Sequence, residues 1–77
     1  MNRTLDRDRT CELIKKMCEK KGIAVNFIVD TLNVSQQAVY AWYSAKKLPS
    51  LDHLVELADL LDVTTDDLIV SKEYASG

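Results

Sequence analysis

The side chains of this chain that could do specific chemistry centre on two adjacent glutamines. Gln36 and Gln37 follow Ser35, a good helix-capping residue, so both fall in the first turn of a predicted helix. A glutamine amide can donate to and accept from one adenine edge, and the methyl of Ala41 can contact a thymine methyl. Tyr40 lies on the same outward side. This spacing suits the reading of base edges in double-stranded DNA, although adjacent glutamines also occur on ordinary helix surfaces.

The side chains that could act as nucleophiles, bases or metal ligands are few and scattered. His53 is the only histidine, and no partner for it is evident in the pattern. Cys11 and Cys18 fall on one predicted helix, roughly 10 Å apart along its axis, which exceeds the roughly 7 Å Cα limit for a disulfide. A CxxC pair is absent. We therefore expect no enzyme activity, no cofactor and no metal, with reduced thiols in a cytoplasmic protein.

Length and composition predict one globular domain. Of the 77 residues, 47% are hydrophobic and 29% are charged, which is too apolar for a disordered chain. No run approaches the length of a membrane span, and the first ten residues contain no apolar signal segment, so we expect no membrane contact. We expect a core over about residues 6–70, with fraying in an N-terminal arm, 1–5, and a C-terminal tail, 72–77.

Charge is unevenly distributed along the chain. The net charge of −2 argues weakly against nucleic-acid binding. Residues 1–47 nevertheless carry nine Lys and Arg against five Asp and Glu, whereas residues 48–77 carry one Lys against seven acids. The excess of basic residues therefore lies in the same part of the chain as Gln36 and Gln37. Two ordinary solvated helix faces would give the same distribution.

Hydrophobic spacing predicts the first three helices, which must position the glutamines. The first runs from about Asp6 to Lys21 and stops at Gly22. The second covers about 25–32 and ends at Asn33, which tolerates left-handed backbone, and the third begins after Ser35. The apolar residues expected to face inward are Leu13, Ile14, Met17, Cys18, Ile28, Val29, Leu32, Ala38, Val39 and Trp42.

Two further helices are predicted after Pro49. Ser50 caps a strongly periodic fourth helix. Thr64 and Asp67 have the spacing of a capping box ahead of an apolar run, which predicts a short fifth helix and an all-α domain of five helices. The residues expected inside the fourth helix are Leu51, Leu54, Val55, Leu57, Ala58 and Leu61.

Between Ile14 and Leu68 the sequence resembles the lambda-repressor-like helix-turn-helix family, also called the xenobiotic-response-element or Cro-type family. The matching runs are IKKMCEKKGI, LNVSQQAVYAW, LPSLDHLVELADLLDV and TTDDL, in register without a gap. The resemblance implies a five-helix DNA-binding domain, with a helix-turn-helix over residues 22–45 and a recognition helix beginning at Ser35. It further implies a sequence-specific transcriptional regulator, usually a repressor that binds a palindromic operator as a homodimer.

Contacts to the DNA backbone are expected around the recognition helix. Between Gly22 and Ala45 the only formal charge is Asp30, so lysines outside this stretch must neutralise phosphates. Few basic contacts imply modest affinity and a shallow salt dependence, which favours a dimer. The residues expected to contact the backbone are Ser35, Ser44, Lys46, Lys47, Lys20, Lys21 and Asn26.

The chain departs from the family pattern at two places. Members commonly have Thr-Gln at the positions of Ala24 and Val25, and that glutamine typically touches the DNA backbone, which valine cannot do through its side chain. Many members also pair Arg with Glu at the positions of Cys18 and Tyr43. Losing one charge would leave the other buried and unpaired, whereas replacing both can be neutral. We interpret Cys18 and Tyr43 as a substituted structural contact.

The aromatic residues leave alternatives open. Trp42 is expected in the core, with stacking on a base as the alternative. Tyr40 either contacts DNA or covers Phe27. An exposed patch of Val25, Phe27, Tyr40 and Tyr43 would suit a protein partner. The alternative function is therefore a protein-interaction module, or an antitoxin, that uses the same fold with weak or no DNA binding.

Overall fold

Helices dominate the computed structural model, which describes residues 2–73. The α-helices are α1 (Arg7–Lys20), α2 (Val25–Leu32), α3 (Gln36–Tyr43) and α4 (Leu51–Leu61). One 3-10 turn, Thr65–Leu68, follows them. The mostly helical architecture agrees with the predicted all-α class, but the described part of the chain contains four α-helices and not five.

The predicted fifth helix is only the 3-10 turn Thr65–Leu68. Its capping box is present as expected: Thr64 Oγ1 accepts from the Asp67 amide at 3.3 Å, and Asp67 Oδ2 accepts from the Thr64 amide at 3.0 Å. Ile69 already has extended backbone, with φ −97° and ψ 124°. The prediction of an α-helix was wrong because only four residues separate the cap from extended chain.

Two short strands pair with each other at the ends of the described chain. β1 (Arg3–Leu5) and β2 (Ser71–Glu73) form an antiparallel sheet in which Arg3 lies opposite Glu73. The Arg3 guanidinium donates to Ser71 Oγ at 2.8 Å and lies 3.8 Å from the Glu73 carboxylate. Thr10, a buried residue of α1, links this sheet to the helices. Its Oγ1 accepts a hydrogen bond from the amide of Val70, the residue before β2, at 3.0 Å.

The sheet corrects the prediction about the chain ends. Fraying was predicted for residues 1–5 and 72–77, but β1 and β2 are paired over their whole lengths. Met1 and residues 74–77 lie outside the described residues. Strands of three residues are too short to show a two-residue hydrophobic period, so the sequence pattern gave no sign of them.

All four α-helices end in the same way. After each helix one residue adopts left-handed backbone, and the next amide donates back to a carbonyl of the last helical turn. In α3 this bond joins Lys46 N to Ala41 O at 3.0 Å. The predicted stops at Gly22 and Asn33 are confirmed. The left-handed residues and their φ angles are Gly22 (69°), Asn33 (56°), Ala45 (62°) and Asp62 (58°).

One hydrophobic core joins the four α-helices and the 3-10 turn, and it matches most of the predicted inward positions. Trp42 is only 3% exposed, and its ring packs on His53 with centroids 5.3 Å apart, which confirms the core interpretation over base stacking. The core members are Ile14, Cys18, Ile28, Leu32, Val39, Trp42, Leu54, Leu57, Ala58, Leu61 and Leu68.

Two of the residues predicted inside α4 face solvent. Leu51 is 70% exposed and Val55 is 53% exposed, so their assignment to the core was wrong. They lie four residues apart, and therefore on one helix face, next to the buried stripe that contains Leu54 and Leu57. The apolar face of α4 is therefore wider than the part of it that the rest of the domain buries.

The two cysteines are buried and free; Cys18 was predicted to face inward, whereas Cys11 was not among the predicted inward residues. Burial raises the pKa of the Cys11 thiol and of the Cys18 thiol, because desolvation disfavours the thiolate. Within residues 2–73, no group of three or more potential metal-ligating side chains is assembled. The helices of this region are all too short or too polar to cross a membrane.

Candidate nucleic-acid interface

A tight turn at residues 33–35 fixes α3 against α2. Asn33 takes the left-handed conformation, and the Val34 amide donates to Val29 O at 3.2 Å. Ser35 then caps α3, with its Oγ accepting from the Ala38 amide at 3.0 Å. These local bonds define the two helices of a helix-turn-helix and set which face of α3 turns outward.

The outward face of α3 carries polar and small side chains and no formal charge. Val39 and Trp42 are buried in the core, which leaves Gln36, Gln37 and Tyr40 exposed on the other side. Base reading was predicted for these three side chains, and all three are open to solvent. The face offers amide donors and acceptors without the strong field of an arginine or a lysine.

An open groove of about 810 Å³ runs beside this face of α3. Its walls are formed by α1, the start of α2 and α3 itself. The groove brings together five of the predicted site residues from one side of the molecule. They are Gln37, Tyr40, Ala41, Ser44 and Lys46.

The groove also contains residues that were not among the predicted DNA contacts. Lys15 and Glu19 contribute from α1, and Val25 contributes from the first turn of α2. Lys15 was identifiable in principle, because it precedes Cys18 by three residues and therefore lies on nearly the same helix face. The proposed contact of Cys18 with Tyr43 directs that face towards α3.

Gln36 and Asn26 do not line the groove but are joined to each other. The Gln36 side-chain nitrogen, Nε2, donates to Asn26 Oδ1 at 2.7 Å. Both side chains are exposed, and the bond links the first turn of α3 to the first turn of α2. Two residues predicted to contact DNA in different ways therefore form one hydrogen-bonded unit.

The start of α2 differs from the other helix starts. Asp6, Ser35 and Ser50 cap α1, α3 and α4 through their side chains, whereas Ala24 has no side chain that can cap α2. Within the described backbone, the first bonded amide of α2 is that of Phe27, which donates to Ala24 O at 3.1 Å. The amides of Val25 and Asn26, at the positive end of the helix dipole, can therefore donate to an acceptor outside the domain.

Cys18 and Tyr43 meet between α1 and α3, and Tyr43 also lines the groove. The Tyr43 hydroxyl is buried and makes no hydrogen bond to any residue in the range 2–73. Burial raises the pKa of Tyr43 well above its usual value, and the neighbouring Cys18 thiol adds a smaller contribution in the same direction. Both groups are therefore neutral and fill the space between the helices, in keeping with a substituted structural contact.

The remaining predicted backbone contacts have different surroundings. The Lys21 ammonium donates to Leu61 O at the end of α4, so this lysine has a structural partner away from the groove. Ser44 Oγ donates to Ala41 O at 3.3 Å. Lys20 and Lys47 are exposed but do not line the groove.

The members of the predicted apolar patch do not all lie together. Val25, Tyr40 and Tyr43 line the groove together, but Phe27 does not. Phe27 is 54% exposed and Tyr40 is 55% exposed, and the described residues contain no aromatic pair between them, so Tyr40 does not cover Phe27. Tyr40 is therefore available at the groove.

Comparison with known proteins identifies the family of the domain. Residues 13–73 match a family model described as a Cro/C1-type HTH DNA-binding domain. The chain is also similar to the HTH-type transcriptional regulator AnsR of Bacillus subtilis (strain 168), with 34% identity over 65 residues. That match covers 84% of this chain and 53% of AnsR, so the chain spans about half the length of this relative.

Proposed function

The chain belongs to the Cro/C1-type helix-turn-helix DNA-binding domain family, and from this premise we propose that it represses transcription by binding an operator sequence as a homodimer. In this proposal α3 enters the major groove and its outward side chains read the base edges. Gln36 and Gln37 read hydrogen-bonding groups, and Tyr40 and Ala41 supply contact area. The protein acts by binding, without catalysis, in the cytoplasm.

The observation that carries the proposal is the outward face of α3. Gln36, Gln37 and Tyr40 are exposed together, while Ser35 and the turn at Asn33 hold the helix in place. Base reading needs side chains that project from a helix whose position is fixed by the rest of the domain. This face has both properties.

Phosphates would be held on either side of α3. The uncapped amides at the start of α2 provide one anion site, as helix N-termini do in other proteins. Lys15 and Lys46 stand on the walls of the groove and supply positive charge close to it. Lys20 and Lys47 would act from farther out, whereas Lys21 is held by Leu61.

The small number of cations supports the homodimer. Each neutralised phosphate contributes about 0.9 to the slope of log affinity against log salt concentration, so two lysines and a helix terminus give one copy only modest affinity. Two copies on a palindromic operator would combine two such half-sites.

A selection experiment with a random pool of DNA duplexes at about 0.1 M salt tests this function. We expect the unaltered protein to enrich one sequence. The double variant Gln36→Ala, Gln37→Ala should lose that preference with unchanged helicity and melting temperature, since both side chains are exposed. Glu56→Gln, at an exposed site on α4, is the matched control and should keep the preference.

Two results would contradict the proposal. If the double glutamine variant keeps the preference, α3 does not read bases through these residues. If the unaltered protein enriches no sequence at all, DNA reading itself is wrong. The apolar groove lined by Val25, Tyr40 and Tyr43 would then favour a protein-interaction module.

A further inference from the structure

The groove beside α3 has an apolar lining that the reading of DNA does not use. Ile23 and Val25 contribute aliphatic side chains to it. Tyr43 also lines it, but the Tyr43 hydroxyl is buried, so the groove meets the ring and not the polar atom. Phosphates and base edges are contacted chiefly through hydrogen bonds, which these three side chains do not supply. This part of the groove suits an apolar ligand.

Tyr40 adds an exposed aromatic ring to the same groove. Its side chain is 55% exposed, and it lines the groove together with Tyr43. Aromatic side chains bind another ring by offset stacking or by edge-to-face contact. The volume of the groove, about 810 Å³, lies within the range of roughly 300–1,000 Å³ that is typical of small-molecule sites. Shape and lining therefore favour a small aromatic molecule.

The charged side chains of the groove favour an anion. Lys15 and Lys46 both line it and are exposed, and within residues 2–73 neither of them forms a salt bridge. Glu19 is the only acid among the described residues that line the groove, so the two lysines leave an excess of positive charge. A ligand with an apolar body and one negative group would complement both the lining and the charge.

We propose that this groove binds a small aromatic anion, with a carboxylate or sulfonate group, and that this ligand and DNA exclude each other. The exclusion rests on the proposed function, in which Gln37 and Tyr40 read bases from the groove that the ligand would occupy. A ligand that covers these side chains keeps α3 out of the major groove. The domain would then release its operator when the concentration of the anion rises.

The first part of the test uses anilinonaphthalene sulfonate, an aromatic anion that fluoresces strongly in apolar surroundings, without any DNA. Dissociation constants are measured for the unaltered protein, Tyr40→Ala and Phe27→Ala. Phe27 is 54% exposed but does not line the groove, so Phe27→Ala is the matched control. We expect Tyr40→Ala to weaken binding about fivefold or more, and Phe27→Ala to change it by less than about twofold. Melting temperatures show that both variants remain folded.

The second part tests the charge of the ligand. Phenylnaphthylamine has the same rings without the sulfonate, so the ratio of its dissociation constant to that of the sulfonate measures the preference for an anion. The double variant Lys15→Gln, Lys46→Gln should lower this ratio about threefold or more. The double variant Lys16→Gln, Lys20→Gln removes two exposed lysines that do not line the groove and should leave the ratio nearly unchanged.

The third part tests the exclusion of DNA with the operator that the selection experiment yields. Anilinonaphthalene sulfonate at about ten times its own dissociation constant should raise the apparent dissociation constant of the operator about tenfold, as expected for two ligands that compete for one site. Addition of operator should in turn lower the fluorescence of the bound sulfonate.

Four results would overturn the inference. Equal losses in Tyr40→Ala and Phe27→Ala would place the sulfonate on apolar surface in general. A ratio that the loss of Lys15 and Lys46 leaves unchanged would show that the groove accepts apolar surface whatever its charge, as a protein partner would. Absence of sulfonate binding would exclude the site. Bound sulfonate without any effect on the operator would overturn the exclusion. Failure of the proposed function differs from all four, since the operator would not bind even without the sulfonate.

Discussion

Replacing Ala45 with glycine should stabilise the domain. Ala45 follows α3 with left-handed backbone, at φ 62°, and it completes a closing motif in which its own amide donates to Trp42 O at 3.1 Å. Of the four residues in this role, Gly22, Asn33 and Asp62 are of types that tolerate the conformation. Alanine does so at a cost, because its Cβ approaches the following carbonyl oxygen.

Two opposing terms set the size of the effect. Left-handed backbone costs an L-residue about 1–2 kcal/mol, which glycine avoids. Glycine also gives the unfolded chain more freedom, which favours unfolding by about 0.4–1 kcal/mol. We therefore expect Ala45→Gly to raise the free energy of unfolding by roughly 0.5–1 kcal/mol. For a domain of this length, that corresponds to a rise of about 3–6 °C in melting temperature.

Thermal unfolding followed by circular dichroism measures this shift. Ala38→Gly is the matched control, because it makes the same change inside α3, where glycine lowers stability by about 1 kcal/mol. Ala45 does not line the groove, so DNA affinity should stay within about twofold. A lower or unchanged melting temperature in Ala45→Gly would refute the strain argument.

Two further predictions concern charge. Lys15→Gln and Lys46→Gln should each weaken binding to operator and to random DNA by the same factor, and each should lower the slope of log affinity against log salt concentration by about one. In Lys21→Gln the lost ammonium is the one that binds Leu61 O, so this change should lower the melting temperature and leave that slope unchanged. A sequence-selective loss would contradict the role of the first two. Burial raises the pKa of Cys18 and of Tyr43 in the folded state, so folding favours the neutral form of both groups. This contribution to the free energy of unfolding is complete below the ordinary thiol pKa of 9.0, and it falls as pH rises above that value because the unfolded chain then loses its protons first. Thermal melts from about pH 8 to about pH 10.5 should show this decline, and a decline of equal size in the double variant Cys18→Ala, Tyr43→Phe would assign it to other groups.

The helix boundaries were predictable because local chemistry sets them. Ser35 and Ser50 cap the helices that they were predicted to cap, and Asn33 makes the predicted turn. Each of these features involves residues only a few positions apart. The inward face of α3 was also predictable, since Val39 and Trp42 follow the helical period.

The features that sequence reasoning missed depend on contacts between distant segments. The antiparallel pairing of β1 with β2 joins residues 66 to 70 positions apart, and no pattern within a strand of three residues indicates it. Leu51 and Val55 follow the helical period of α4, but the period does not show where the core ends. The bond between Asn26 and Gln36 requires the packing of two helices, so a pattern within either helix does not reveal it.

The pairing of β1 with β2 has a mechanical consequence. Because neighbouring antiparallel strands lie about 5 Å apart, any polypeptide attached before Arg3 and any attached after Glu73 would start from almost the same point. Tension applied between those two attachments would open the sheet one pair at a time before it reached a helix. A pulling force on these two attachments would therefore separate β1 from β2 before it changed the position of α3.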